Sequence, residues 1–245
     1  MGRTLVAGDV HAMYGRLRSA LSAAEFNPDE DTLYAVGDFC DRGPEPLKTL
    51  ELLMGLPHFH PVVGNHDIWL YEYLCGKGPA PIWLDPRNGG LATYSVIKDA
   101  PEETKEKIRN WYGSFPFLRT SGNHIILHAG PPECACDSNA LLAMTDGLTL
   151  EKAFRQKCLT GTYTPLVHDI VWDRKYIRSA MSAGEQEDAR LPFPSDMTIV
   201  CGHTPLEAVF SSSPYHLTCI DTGSYDPSGH ITLMDLETHR LYQSA

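Results

Sequence analysis

Short apolar runs recur along the chain, and each ends in a polar turn built around glycine. Thr4-Leu5-Val6-Ala7 leads into Gly8-Asp9, and Thr32-Leu33-Tyr34-Ala35-Val36 into Gly37-Asp38. His60-Pro61-Val62-Val63 leads into Gly64-Asn65, Ile125-Ile126-Leu127 into His128-Ala129-Gly130, and Thr198-Ile199-Val200-Cys201 into Gly202-His203. Between the first three runs, apolar residues fall at helical spacing: Leu17, Ala20, Leu21 and Ala24, then Leu47, Leu50, Leu53 and Met54. Strands alternating with helices predict an α/β fold. Open α/β sheets place their ligands at the carboxyl ends of strands, which is where all five turns lie. Residues 69–116 read as partly helical, with Pro- and Gly-rich breaks at 76–81 and 86–90. Residues 131–195 are less regular, with a polar stretch over 182–190. Both segments are expected to be insertions that wall a site within one domain spanning 1–245. Leu217–Ile220 and His230–Leu236 read as a closing pair of strands.

Composition narrows the class. With 42% hydrophobic and 21% charged residues the chain can bury a large core. The formal charge of -11, from 31 acidic against 20 basic residues, opposes a nucleic-acid partner, whose binding relies on Lys and Arg. No run approaches the roughly 18 apolar residues that cross a membrane. The opening residues are interrupted by Gly8-Asp9 too early for a secretion signal. Seven scattered cysteines fit a reducing cytoplasm, and cytoplasmic localisation is expected. Cys134-Ala-Cys136 lacks the second pair that a zinc site needs.

The chemistry sits in the turns: Gly8-Asp9-Val10-His11, Gly37-Asp38-Phe39-Cys40-Asp41-Arg42-Gly43, Gly64-Asn65-His66-Asp67, His128-Ala129-Gly130 and Gly202-His203-Thr204. Asp, His and Asn are hard or intermediate ligands, suited to Mn²⁺, Fe or Zn²⁺. Asp9 and His11, two apart on one turn, can reach a single ion. Asp38 can bridge two ions with its two oxygens, and Asn65, His128 and His203 can complete the second. Such a pair of ions activates water without a covalent nucleophile on the protein.

These motifs resemble the calcineurin-like metallophosphoesterases, and within them the phosphoprotein phosphatase branch of lambda-type and bacterial serine/threonine phosphatases. The resemblance runs from Asp9 to Asp221-Thr222-Gly223 and is thinnest over 131–195. It implies an α/β sandwich of two mixed β-sheets flanked by helices. It also implies two divalent metal ions, with Mn²⁺ the first choice, held by Asp9, His11, Asp38, Asn65, His128 and His203. It makes His66 the general acid for the leaving oxygen, Asp41 its orienting partner, and Arg42 a phosphate grip, with Arg174 of Trp172-Asp173-Arg174 as a second grip. The substrate implied is a phosphorylated protein or peptide.

Two features pull toward relatives on the same fold, the symmetrical diadenosine tetraphosphate hydrolases. Asp67 follows the motif histidine where protein phosphatases carry Glu, and Phe26-Asn27-Pro28 through Asp31-Thr32-Leu33 is similar to theirs. Asp41, which those hydrolases usually lack, together with Asn88-Gly89-Gly90 and Trp172-Asp173-Arg174, favours the phosphatase. A metal-free binding module is disfavoured by the complete ligand set. Trp69, Tyr71 and Tyr73 read as packing residues, and Tyr225 stands close enough to Asp221-Thr222-Gly223 to approach the site.

Overall fold

The computed structural model describes residues 2–132, 140–183 and 193–245. Cys134, Cys136 and the polar stretch from residue 184 to 190 lie outside them. The chain opens as β1 (Thr4–Ala7), α1 (Tyr14–Ala23), β2 (Thr32–Ala35), α2 (Pro46–Met54) and β3 (Phe59–Pro61). Helices follow: α3 (Asn65–Leu74), α4 (Pro81–Leu84), α5 (Gly90–Ile97) and α6 (Glu102–Gly113). Next come β4 (Leu118–Ser121) and β5 (His124–Leu127), then α7 (Ala140–Thr145), α8 (Leu150–Thr160), α9 (Pro165–Trp172) and α10 (Lys175–Ser182). The chain closes with β6 (Thr198–Cys201), β7 (Phe210–Ser212), β8 (Leu217–Cys219), β9 (Thr232–Asp235) and β10 (Leu241–Gln243).

The strands form two five-stranded mixed sheets, ordered β10-β9-β1-β2-β3 and β4-β5-β6-β8-β7. The pairs β1–β2, β2–β3, β5–β6 and β6–β8 are parallel, whereas β1–β9, β9–β10, β4–β5 and β7–β8 are antiparallel. Side chains alternate across the pleat, and both faces are apolar. Val6, Ile126, Val200 and Met234 meet in a core between the sheets. Their strand neighbours Leu5, Ala7, Ile125, Leu127 and Ile199 turn outward into the larger core that includes helix residues such as Leu17 and Leu50. Burial on both sides explains why these strands read as continuous apolar runs rather than alternating ones. Each fully buried Val, Ile or Leu contributes roughly 1.5–3 kcal/mol.

One expectation is corrected. Leu217–Ile220 and His230–Leu236 do not pair as closing strands. β8 lies between β6 and β7 in one sheet, while β9 lies between β10 and β1 in the other. The connection between them forms one isolated bridge, Thr222 to His230. The segment crosses between sheets, and Thr222 Oγ1 secures the crossing with bonds to His230 O at 2.8 Å and Thr232 Oγ1 at 2.7 Å. That crossing delivers Asp221 to the strand ends.

Candidate metal centre

The carboxyl ends of β1, β2 and β3 face those of β5, β6 and β8, and the five predicted turns converge there. Several turn residues adopt the left-handed backbone that side chains disfavour: His11 (φ 47°), Asp38 (φ 55°), Asp41 (φ 72°), Arg42 (φ 65°) and His203 (φ 65°). Strain of this kind costs on the order of 1–3 kcal/mol per residue and persists where the surroundings over-determine it. Here the Asp67 carboxylate, at the first turn of α3, accepts the N–H groups of Asp38 (2.8 Å), Phe39 (3.0 Å) and Gly64 (2.9 Å). Asp67 therefore braces two turns and does not face the cleft. Those three bonds favour its charged form, whereas burial and the Asp38 charge push it up to about 7. Gly64 and Gly202 are required by space, since a Cβ would overlap Asp38 Oδ1 at the first and Asp9 Oδ1 at the second.

Asp38 stands at the centre. Its Oδ2 is 3.7 Å from His11 Nε2, 3.9 Å from His66 Nε2 and 3.5 Å from His128 Nε2. These separations exceed hydrogen-bond length, so the imidazoles are held by other contacts. His11 Nδ1 lies 3.1 Å from Cys40 O and His128 Nδ1 2.7 Å from Val36 O, leaving each Nε2 toward the centre. His203 Nε2 is 3.1 Å from Trp172 O, which leaves its Nδ1 available. Backbone carbonyls fixing the distal ring nitrogen is the usual support of metal-ligating histidine. Two buried groups result, each with donor atoms within 4.8 Å of one another: His11, Asp38 and His66, and Asp38, His128 and His203. They share Asp38. The Asn65 amide oxygen joins the second at 3.0 Å from His128 Nε2. Asp9 stands at the rim of the first, 3.8 Å from His11 Nε2, its carboxylate 3.2 Å from the His203 N–H.

The electrostatics call for cations. Burial, then the charges of Asp221 and Asp38, drive Asp9 well above the carboxylate range. Burial also lifts Asp221, to about 6. His11 is lowered by burial and by Arg42, and His203 by burial, His128 and Arg174. Burial works against charge on both Asp38 and His128, yet their attraction prevails: Asp38 is held low and His128 raised. Nitrogen and oxygen donors without thiolate, in two groups around one carboxylate, fit a pair of hard or borderline divalent ions.

Of the remaining predicted residues, His66, Arg42 and Arg174 line the cleft beside this centre, and Asp41 is buried behind His66. His66 Nδ1 is 2.7 Å from Asp41 Oδ2, and Trp83 Nε1 donates to the same oxygen at 2.8 Å. Arg42 sets Nη1 2.7 Å from His11 Nε2 and Nη2 3.3 Å from His66 Nε2, with its guanidinium 4.1 Å above the Tyr225 ring. Arg174 donates to His203 O at 2.9 Å. Helix α9, begun by the Thr164 cap and Pro165, carries Trp172 and leads to Arg174, and Ala129 N–H bonds Ile170 O at 2.7 Å, tying the helix to the His128 turn. The cleft encloses about 290 Å³. Trp69, Ile82 and Asn88, from the stretch 69–116, line it, with Trp172 and Arg174 from the later helical stretch. Tyr71 is buried and Tyr73 packs on Trp83 and Tyr94, as expected, but Trp69 borders the cleft. Sequence reasoning gave no role to Asp221 or Trp83. Asp221 carried a signal, because Leu217–Ile220 ends in a polar, glycine-bearing turn like the other five. Trp83 carried none.

The calcineurin-like phosphoesterase family model matches residues 2–227. The chain belongs to that family, and it is a metal-dependent phosphoesterase. A symmetrical bis(5'-nucleosyl)-tetraphosphatase of Methylococcus capsulatus is 26% identical over 94% of this chain and 90% of that protein. Another, of Dechloromonas aromatica, is 34% identical over 52% of this chain and 43% of its own length. Among solved structures, the cold-active protein-tyrosine phosphatase of a psychrophilic Shewanella species superimposes with a TM-score of 0.62 at 17% identity, covering 100% of this chain and 81% of that one. At that identity the likeness speaks for the fold alone.

Proposed function

We propose that the protein hydrolyses dinucleoside tetraphosphates symmetrically, reversing the order of the two substrates expected from sequence. The observation that carries this reading is the end-to-end match to the Methylococcus tetraphosphatase, over nine-tenths of both chains. Asp67, the residue that pointed the same way in the sequence, braces the turns and leaves substrate choice to the cleft walls.

Asp9, His11, Asp38, Asn65, His128 and His203 would hold two divalent ions, with Asp38 shared and Asp221 placed to support the Asp9 side. Such ions supply Lewis acidity to the phosphoryl oxygens and water acidified to near-neutral pKa, about 7. Arg42 and Arg174, which both line the cleft, grip the phosphoryl oxygens, and Arg42 can do so with its planar fork. His66, held through Nδ1 by Asp41, presents Nε2 to the departing oxygen and gives it a proton.

A phosphoprotein phosphatase is the second reading, favoured by the Asp41–His66 contact of 2.7 Å. A serine or threonine alkoxide is a poor leaving group and needs an acid, whereas a nucleoside diphosphate leaves as a weak base. The deciding experiment compares diadenosine tetraphosphate cleavage with phosphate release from a phosphoserine peptide on Mn²⁺-loaded protein. The expected outcome is ADP as sole nucleotide product, at a kcat/KM at least tenfold above that for the peptide. The reverse ratio would establish the phosphatase reading.

A further inference from the structure

Beside the acid the cleft carries an aromatic ladder that the hydrolytic groups do not use. The Trp69 ring lies 4.9 Å from His66, Trp172 lies 6.5 Å from Trp69, and His168 lies 5.5 Å from Trp172. It climbs from a buried imidazole to an exposed one, and both indoles are only partly buried. Tryptophan usually spends its surface in a core or an interface, so two adjacent half-covered indoles in a cleft mark a place for a flat apolar ligand.

We infer that Trp172, with Trp69 below it, is the stacking wall for a nucleobase of the substrate. This rests on the dinucleotide reading above. In a symmetrical tetraphosphate the attacked phosphorus is separated from its nearer base by one phosphate and a ribose. Phosphoryl oxygens held by Arg42 and Arg174 leave that base further along the same cleft, which Trp69 and Trp172 line. Trp172 closes α9 and Arg174, two residues on, caps α10, so phosphate grip and base wall stand side by side on one short junction between helices. Stacking is read from a π-face, which every base has. The wall therefore accepts adenine and guanine alike and discriminates little among bases.

Trp172→Ala separates this role from folding, because the backbone carbonyl that fixes His203 is retained. Base stacking contributes about 1–3 kcal/mol, which is about 5- to 150-fold at 1.4 kcal/mol per tenfold. The expected result is a loss in kcat/KM for diadenosine tetraphosphate that exceeds the loss for p-nitrophenyl phosphate by about fivefold or more, falling mainly on KM, with Trp172→Phe recovering most of it. Equal losses on both substrates, or a larger loss on a phosphoserine peptide, would overturn the wall. ADP binding to the Mn²⁺-loaded protein, followed by quenching of tryptophan fluorescence, is the readout free of turnover. Wild type that fails to cleave the dinucleotide yet binds ADP tenfold more tightly than Trp172→Ala sinks the substrate reading and keeps the wall. Wild type that cleaves it with no difference between the two proteins keeps the substrate and sinks the wall.

Discussion

The Asp41 carboxylate holds His66 by one ring nitrogen, and Trp83 closes on the same oxygen, so the imidazole turns its other nitrogen to the cleft with little freedom to rotate. An acid so placed matters in proportion to how badly the leaving oxygen needs a proton. His66→Asn should therefore lower kcat on an alkyl phosphomonoester by about 10²- to 10⁴-fold, the range of general acid catalysis. On diadenosine tetraphosphate or p-nitrophenyl phosphate, whose leaving groups are weak bases, the loss should be at least tenfold smaller. Steady-state kinetics on the three substrates checks this, and equal losses throughout would reduce His66 to an anchor for the first ion group. The residues legible in the sequence were those whose chemistry fixes their type: Asp, His and Asn beside glycine at strand ends. Asp67 and Trp83 act through bonds to the backbone or to a residue 42 positions away. Their effect exists only once the chain has folded, so no spacing announces it.

At the scale of elements, β1 and β2 are fixed to each other ahead of the site by Asp31. Its carboxylate accepts the Arg3 N–H at 2.7 Å, the Arg3 guanidinium at 2.6 Å and the Asn27 N–H at 3.1 Å, just before the Thr4–Thr32 register begins. Burial works to raise Asp31, but the bonds from Arg3 and Asn27 hold it below the carboxylate range. A folded-state pKa below the unfolded value of about 3.9 contributes stability above that value and loses it as pH falls through the folded one. Asp31→Asn should cost about 1 kcal/mol at pH 7, since the partly exposed Arg3 is screened. Urea midpoints of the two proteins should converge as pH drops below about 4, and a gap that persists there would assign the effect to packing. The central strands were legible because burial on both faces makes them continuous apolar runs, and helices α1 and α2 because one face repeats. Short edges were not: β7 and β10 bury few residues, and β4 joins β5 through a two-residue Gly122-Asn123 turn in polar surroundings. The tail strands were legible as strands but not by partner, since register and sheet membership follow from contacts far along the chain.

Across the whole molecule the donor groups come from both sheets. His11, Asp38 and Asn65 follow strands of one, while His128 and His203 follow β5 and β6 of the other. Ions held by both groups would bind the two layers together at the end where strained turns face one another. A ligand that binds only the folded state stabilises it by about 2.7 kcal/mol when its concentration is one hundred times Kd. For a chain of this length each kcal/mol moves Tm by roughly 2–4 °C. Chelation by EDTA should therefore abolish turnover and lower Tm by about 5–10 °C for each ion removed, with both restored by Mn²⁺. Asp38 belongs to both groups, so Asp38→Asn should lose the Mn²⁺-dependent rise in Tm almost entirely and bind well under one ion per chain. His203→Ala disturbs one group and should keep about one ion and a smaller rise. Metal content by mass spectrometry beside calorimetry reads both effects without relying on activity. A full rise in Asp38→Asn would place the stabilising ions away from this centre, whereas graded loss from wild type through His203→Ala to Asp38→Asn follows only if one carboxylate serves both groups.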